Sequence, residues 1–131
     1  MMVDASLVLL THLEAQSALT ALTSTRIWAE TSEPPPSYKP SDGQAICFKT
    51  RGGTGFDEQD AIYNVSFQFK CYGATRLLAT ELFRTLNNIL HSTAGIGIKM
   101  GNLEAPPETL QEPDTGWYFT LAFYTVMVTN S

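Results

Sequence analysis

The side chains that could do covalent chemistry are few. The nucleophile candidates are Cys47 and Cys71, and the candidate bases are His12 and His91. A cysteine nucleophile needs a base within hydrogen-bond reach and a third group to orient that base. His12 is expected on the solvent side of an early helix and His91 at the end of a later one, where it would interact with the helix C-terminus. Neither is placed to meet a cysteine. A zinc site would need all four residues, with no short-spaced ligand pair among them, so no metal, cofactor or catalytic residue is expected. The cysteines fall in strands that pair side by side. Oxidation could bridge them there, but buried thiols acting as small hydrophobes are the favoured reading. Arg51-Gly52-Gly53-Thr54-Gly55 lacks the Gly-Lys-Ser/Thr ending of a phosphate-binding loop and leads into a strand, so it reads as a hairpin turn. Gly95-Ile96-Gly97 fails in the same way. Asn64-Val65-Ser66 matches a glycosylation sequon, which is expected to be coincidental because Met1-Met2-Val3-Asp4 lacks the basic start of a secretion signal.

The carboxylates carry the clearer asymmetry. Glu104, Glu108, Glu112 and Asp114 all follow Lys99, and no Lys or Arg does. Two readings stand: a solvated acidic connection, or a surface that repels phosphates, such as the wall of a pore through which DNA slides. Eight Lys and Arg against thirteen Asp and Glu give a net charge of -5, which argues against a conventional phosphate-gripping nucleic-acid binder with its basic patch. A length of 131 residues with 44% hydrophobic and 16% charged residues predicts one soluble intracellular domain, 1–131, able to bury a core. No apolar run approaches the roughly 18 residues of a membrane span, so no membrane partner is expected.

The elements that must position these groups follow from periodicity. Leu7, Leu10 and Leu13 behind a capping Asp4 predict a helix from about Ala5 to Gln16, with Ser17 to Leu22 as one further short turn. Arg26 to Ala29 reads as a short strand. The stretch Glu33 to Gly43, with Pro34, Pro35, Pro36 and Pro40, is an extended connector. Ala45 to Arg51 reads as a strand and Gly52 to Glu58 as a flexible turn. From Asp60 to Tyr72, Tyr63, Val65, Phe67, Phe69 and Cys71 alternate with Asn64, Ser66, Gln68 and Lys70, a strand with one buried face. Gly73 ends it. A helix from about Ala74 to His91 sets Leu78, Leu82, Leu86, Ile89 and Leu90 on one side and Leu77, Glu81, Arg84 and Asn88 on the other. Glu81 and Arg84 are spaced to pair. Gly95 to Gly101 reads as a bent strand, Asn102 to Gly116 as an acidic connection, and Trp117 to Val128 as a long strand apolar on both phases. Such a strand is covered on both sides. Helices could cover both, but two helices are too few, and a second subunit is the favoured cover. The fold class is α+β: a mostly antiparallel sheet with two helices packed on one face, in the order α-β-β-β-α-β-β.

Taken in order, these segments resemble a known family. Leu7 to Leu13 and Ser17 to Leu22 lead to Arg26-Ile27-Trp28. Pro36-Ser37-Tyr38 feeds Ala45-Ile46-Cys47-Phe48, and a strand ending Phe69-Lys70-Cys71-Tyr72-Gly73 precedes a Leu-rich helix. Asp114-Thr115-Gly116-Trp117-Tyr118 opens the terminal strand. Over nearly its full length the chain resembles the tail-completion, or tail-terminator, family of long-tailed bacteriophages. The resemblance implies a non-enzymatic α+β subunit of the virion, assembled in the host cytoplasm as a hexameric ring. Such a ring caps the tail tube, halts its growth and docks to the head connector while DNA passes through the lumen. The implied partners are copies of the chain itself, tail-tube protein and head connector or neck proteins, with genomic DNA in transit and not specifically bound. A head-completion or connector-stopper ring of the same neck is the nearest alternative. A small-ligand-binding or enzymatic α+β domain, which needs a pocket of convergent polar groups, is the alternative of another class. Face asymmetry and charge assign Leu77, Glu81, Arg84, Asn88, Tyr124 and Val126 to subunit contacts. The same criteria assign Gly53, Thr54, Phe56, Asp57, Glu104, Glu108, Glu112 and Asp114 to loops that line the lumen or meet adjoining rings.

Overall fold

The computed structural model describes residues 5–57, 62–91 and 98–129. The expected cap Asp4, residues 58–61 and the glycine pair Gly95 and Gly97 lie outside them. The elements run α1 (Ala5–Glu14), α2 (Ser17–Thr23), β1 (Ile27–Ala29), a 3-10 turn (Pro40–Asp42), β2 (Ala45–Asp57), β3 (Ile62–Gly73), α3 (Arg76–His91), β4 (Ile98–Leu103), β5 (Glu108–Gln111) and β6 (Tyr118–Thr129). The sheet order is β1-β2-β3-β6-β4, with β5 also paired to β6. Among the described residues, only β1 and β2 run parallel, and every other strand pair is antiparallel.

The alternation in β3 fixes this sheet. Phe67, Phe69 and Cys71 are fully buried on one face, opposite Tyr124 and Ala122 of β6. Leu9 and Leu13 from α1, Leu19 from α2 and Leu82, Leu86 and Leu90 from α3 pack on that same face. Each such side chain contributes about 1.5–3 kcal/mol by leaving water. The rings of Phe48 and Phe69 stack at 5.4 Å, and Phe69 meets Tyr124 edge-on at 5.5 Å. The α+β class with a mostly antiparallel sheet and helices on one face is the one read from the sequence.

Three details differ from that reading. The turn after α1 is a helix of its own, α2, which places Leu19 in the core. The glycine-rich segment is not a free turn: β2 continues through it to Asp57, pairing Gly53 with Val65, Phe56 with Tyr63 and Asp57 with Ile62. Its register shifts after Thr50 and again after Gly53, where small residues let the ladder absorb extra residues as bulges. The acidic connection contains a short strand, β5, held to β6 from Glu108↔Leu121 to Gln111↔Tyr118.

The step from β3 to α3 is tight. A Cβ at Gly73 would stand 2.5 Å from the Ala79 nitrogen and 2.8 Å from the Leu78 carbonyl carbon, so the helix start leaves room only for glycine. The Thr75 hydroxyl accepts a hydrogen bond from the Leu78 N–H and caps α3. Gln44 fastens the same turn by donating to the Leu78 carbonyl at 2.8 Å.

The opposite face of the sheet is partly covered as well, and by the chain itself. Tyr38 of the proline-rich connection is buried against Ala45, Cys47, Tyr72 and Phe119. Its ring meets Trp28 at 5.5 Å and Trp117 at 5.7 Å, both edge-on, and its hydroxyl donates to the Gly43 carbonyl at 2.6 Å. Over this half of β6, the second cover expected from another subunit is supplied by residues 33–43. Cys47 lies in this outer cluster and Cys71 in the main core. The register pairs Cys47 with Lys70 and Ile46 with Cys71, so the two thiols point to opposite faces of the sheet and cannot be bridged.

Candidate functional site

The outward stripe of α3 is where the sequence places it. Leu77 is 73% exposed, and Glu81, Arg84 and Asn88 are exposed along the same side of the helix. Glu81 does not pair with Arg84: its carboxylate accepts from Gln44 Nε2 at 3.2 Å, and the ion pair found among the described residues is Arg51–Glu104.

Tyr124 and Val126 do not face outward. Both are fully buried in the main core under α3. The Tyr124 hydroxyl donates to Asn87 Oδ1 at 2.6 Å, and burial pushes this phenol well above its ordinary pKa. The reason is register. Tyr124 is paired with Phe67 and Val126 with Val65, and directly paired residues share a face. The outward phase of β6 is Leu121, Phe123 and Met127, each partly exposed. Both phases of β6 are apolar, so its own pattern does not say which turns inward; β3 decides.

The four carboxylates of the last connection separate into two kinds. Glu104 is tied to the outer face of the sheet, accepting from Ser66 Oγ at 2.5 Å, Thr125 Oγ1 at 3.0 Å and Arg51 at 3.4 Å. The Arg51 guanidinium lies over Phe123, 4.2 Å from the ring centre, so one Arg–Glu contact spans from β2 to the end of β4. Glu112 accepts from the Tyr72 hydroxyl and from Thr115 Oγ1, both at 3.0 Å. Burial pushes the Tyr72 phenol up, and the Glu112 charge adds to that shift. Glu108 and Asp114 are exposed and free of such ties among the hydrogen bonds of the described residues. Gly53, Thr54, Phe56 and Asp57 have their backbone in β2. Among the described residues, no group of three or more His, Cys, Asp and Glu is placed to hold a metal ion.

The two short sequences that stood out have local work in the fold. Arg26 donates through Nε to the Gln44 carbonyl at 3.0 Å and through a terminal nitrogen to the Leu22 carbonyl at 3.3 Å, which closes the end of α2. Ile27 enters the core and Trp28 packs on Tyr38. Asp114-Thr115-Gly116 forms the turn from β5 to β6: Gly116, at φ 74, donates its N–H to the Glu112 carbonyl. The Trp117 N–H donates to Thr115 Oγ1 at 3.2 Å. From sequence, Tyr38 is given no role beyond its place in Pro36-Ser37-Tyr38, and Gln44 is not singled out. A lone aromatic within a proline run was the signal for Tyr38; nothing local marks Gln44.

On the outer side of α1 runs a shallow groove lined by Leu7, Val8, Thr11, His12 and Ala15. Leu7 is 58% exposed. His12 is partly buried, not fully turned to solvent, and desolvation lowers its pKa.

The fold and surfaces define an α+β domain with an uncovered helical stripe and an acidic hairpin. Among solved structures, the chain is similar to one described as "Virion of native gene transfer agent (GTA) particle", with a TM-score of 0.62 and 12% sequence identity, covering 98% of this chain and 96% of that one. No protein-family profile matches the chain. No curated protein matches it.

Proposed function

We propose that this chain is a non-enzymatic structural subunit of a phage-like virion, and within it the tail terminator. Copies would form a ring that caps the tail tube, stops its polymerisation and joins the tail to the head connector while DNA passes through. The observation that carries the reading is the end-to-end likeness of the fold to a chain of a gene transfer agent virion. The order of Arg26-Ile27-Trp28, the Leu-rich helix and Asp114-Thr115-Gly116 supports the terminator role within that class. The exposed Leu77 stripe suits contacts between copies. Glu108 and Asp114, acidic and projecting, suit a lumen that must not grip phosphates.

Mixing the purified chain with polymerising tail-tube protein tests this by negative-stain microscopy. The expected result is growth halted at short tubes, each with a disc at one end. Tubes that lengthen unchanged, with bare ends, contradict the role. A disc that binds isolated connectors and ignores tubes assigns the chain instead to the connector-stopper ring.

A further inference from the structure

The stripe of α3 lacks a stated counterpart, and the groove on α1 supplies one. In α1, Leu9 and Leu13 fill the core, while Leu7, Val8 and Leu10 turn toward or partly toward the surface beside the polar Thr11, His12 and Glu14. Its apolar stripe is thus wider than the part that faces the core.

Its exposed stripe is Leu7, Thr11 and Glu14; that of α3 is Leu77, Glu81 and Arg84. Both follow the spacing i, i+4, i+7, which returns to one side of a helix. Each places a large apolar residue first and a charge about 10 Å further along the axis. The charges are opposite. Glu14 is the one carboxylate of α1, beside the groove, and Glu81, between Leu77 and Arg84, is held by a hydrogen bond from Gln44.

We infer that the α3 stripe of one copy seats in the α1 groove of the next. Leu77 enters beside Leu7, Val8 and Thr11, and Arg84 meets Glu14 in a parallel, side-by-side helix pair. The two surfaces differ, so the contact is heterologous and propagates from copy to copy, closing into a ring when the rotation permits. The inference deepens the ring reading by naming the seam.

The test measures mass by light scattering over a concentration series, with circular dichroism to check folding. The variants are Leu77→Arg, Thr11→Glu, Glu14→Arg, Arg84→Glu and the Glu14→Arg/Arg84→Glu double. All four positions are exposed, so folding is expected to persist. Leu77→Arg, which removes the apolar contact, and Thr11→Glu, which faces the neighbour's Glu81, should each weaken association by roughly 10- to 100-fold. Each single charge reversal should weaken it, and the double reversal should recover most of the loss. Folded variants that associate like the wild type overturn the seam and leave the ring reading standing on another surface. A wild-type chain that stays monomeric throughout overturns both.

Discussion

At the scale of single residues, two positions tie sequence to stability most directly. Gly73 lies where the strand turns into α3 with backbone within 3 Å of any added Cβ. Gly73→Ala must push the helix start away, and is expected to cost about 1–3 kcal/mol as a lower midpoint in urea unfolding. An unchanged midpoint contradicts this geometry. The second concerns protons. Burial holds the Cys47 thiol and the Tyr38 phenol up to about 12, against ordinary values near 9 and 10. The folded chain keeps these protons at pH values where the unfolded chain releases them. Their contribution to stability is therefore complete below about pH 8.5 and is lost as pH rises toward 12. Melting temperatures measured from pH 8 to 11 should fall steadily through that range. A flat profile would place both groups in water.

Among the elements, the proline-rich connection has the largest role that its composition conceals. It covers the outer face of the sheet through one side chain, Tyr38, packed between two tryptophans. Tyr38→Ala should lower stability by about 3–5 kcal/mol and shift the tryptophan fluorescence to longer wavelength as Trp28 and Trp117 meet water. Unchanged fluorescence would mean that the connection is not the cover. The same contrast marks what was legible in the sequence. β3 and α3 were readable because each has one wet and one dry side, so period alone sets their faces. β6 was not, because both sides are apolar and its orientation comes from pairing with β3. That is why Tyr124 and Val126, read as outward, lie in the core. The glycine-rich end of β2 and the short β5 were missed because their partners, not their own residues, hold them extended. Of the candidate surfaces, the α3 stripe was legible as an apolar residue on a polar helix face. The division of the acidic connection into anchored Glu104 and Glu112 and projecting Glu108 and Asp114 depends on hydroxyls contributed by Ser66, Tyr72, Thr115 and Thr125. Three of these donors lie on other strands, at no sequence spacing that announces them.

At the scale of the whole molecule, the fold satisfies its own buried polar atoms. Among the described residues, every buried side-chain nitrogen and oxygen has a hydrogen-bond partner. It also hides more of its second face than the sequence suggests. Among the described residues, the large apolar side chains left exposed are Leu77 on α3, Leu7 on α1 and, less so, Leu110 on β5. The proposed role requires that such a surface be covered by copies of the chain. The most direct measurement is negative-stain imaging of the purified chain at high concentration, scored for closed rings. The account predicts discs of uniform diameter with a central opening, built from several copies. A uniform population of single 14.4 kDa chains, persisting when tail-tube protein is added, would contradict it.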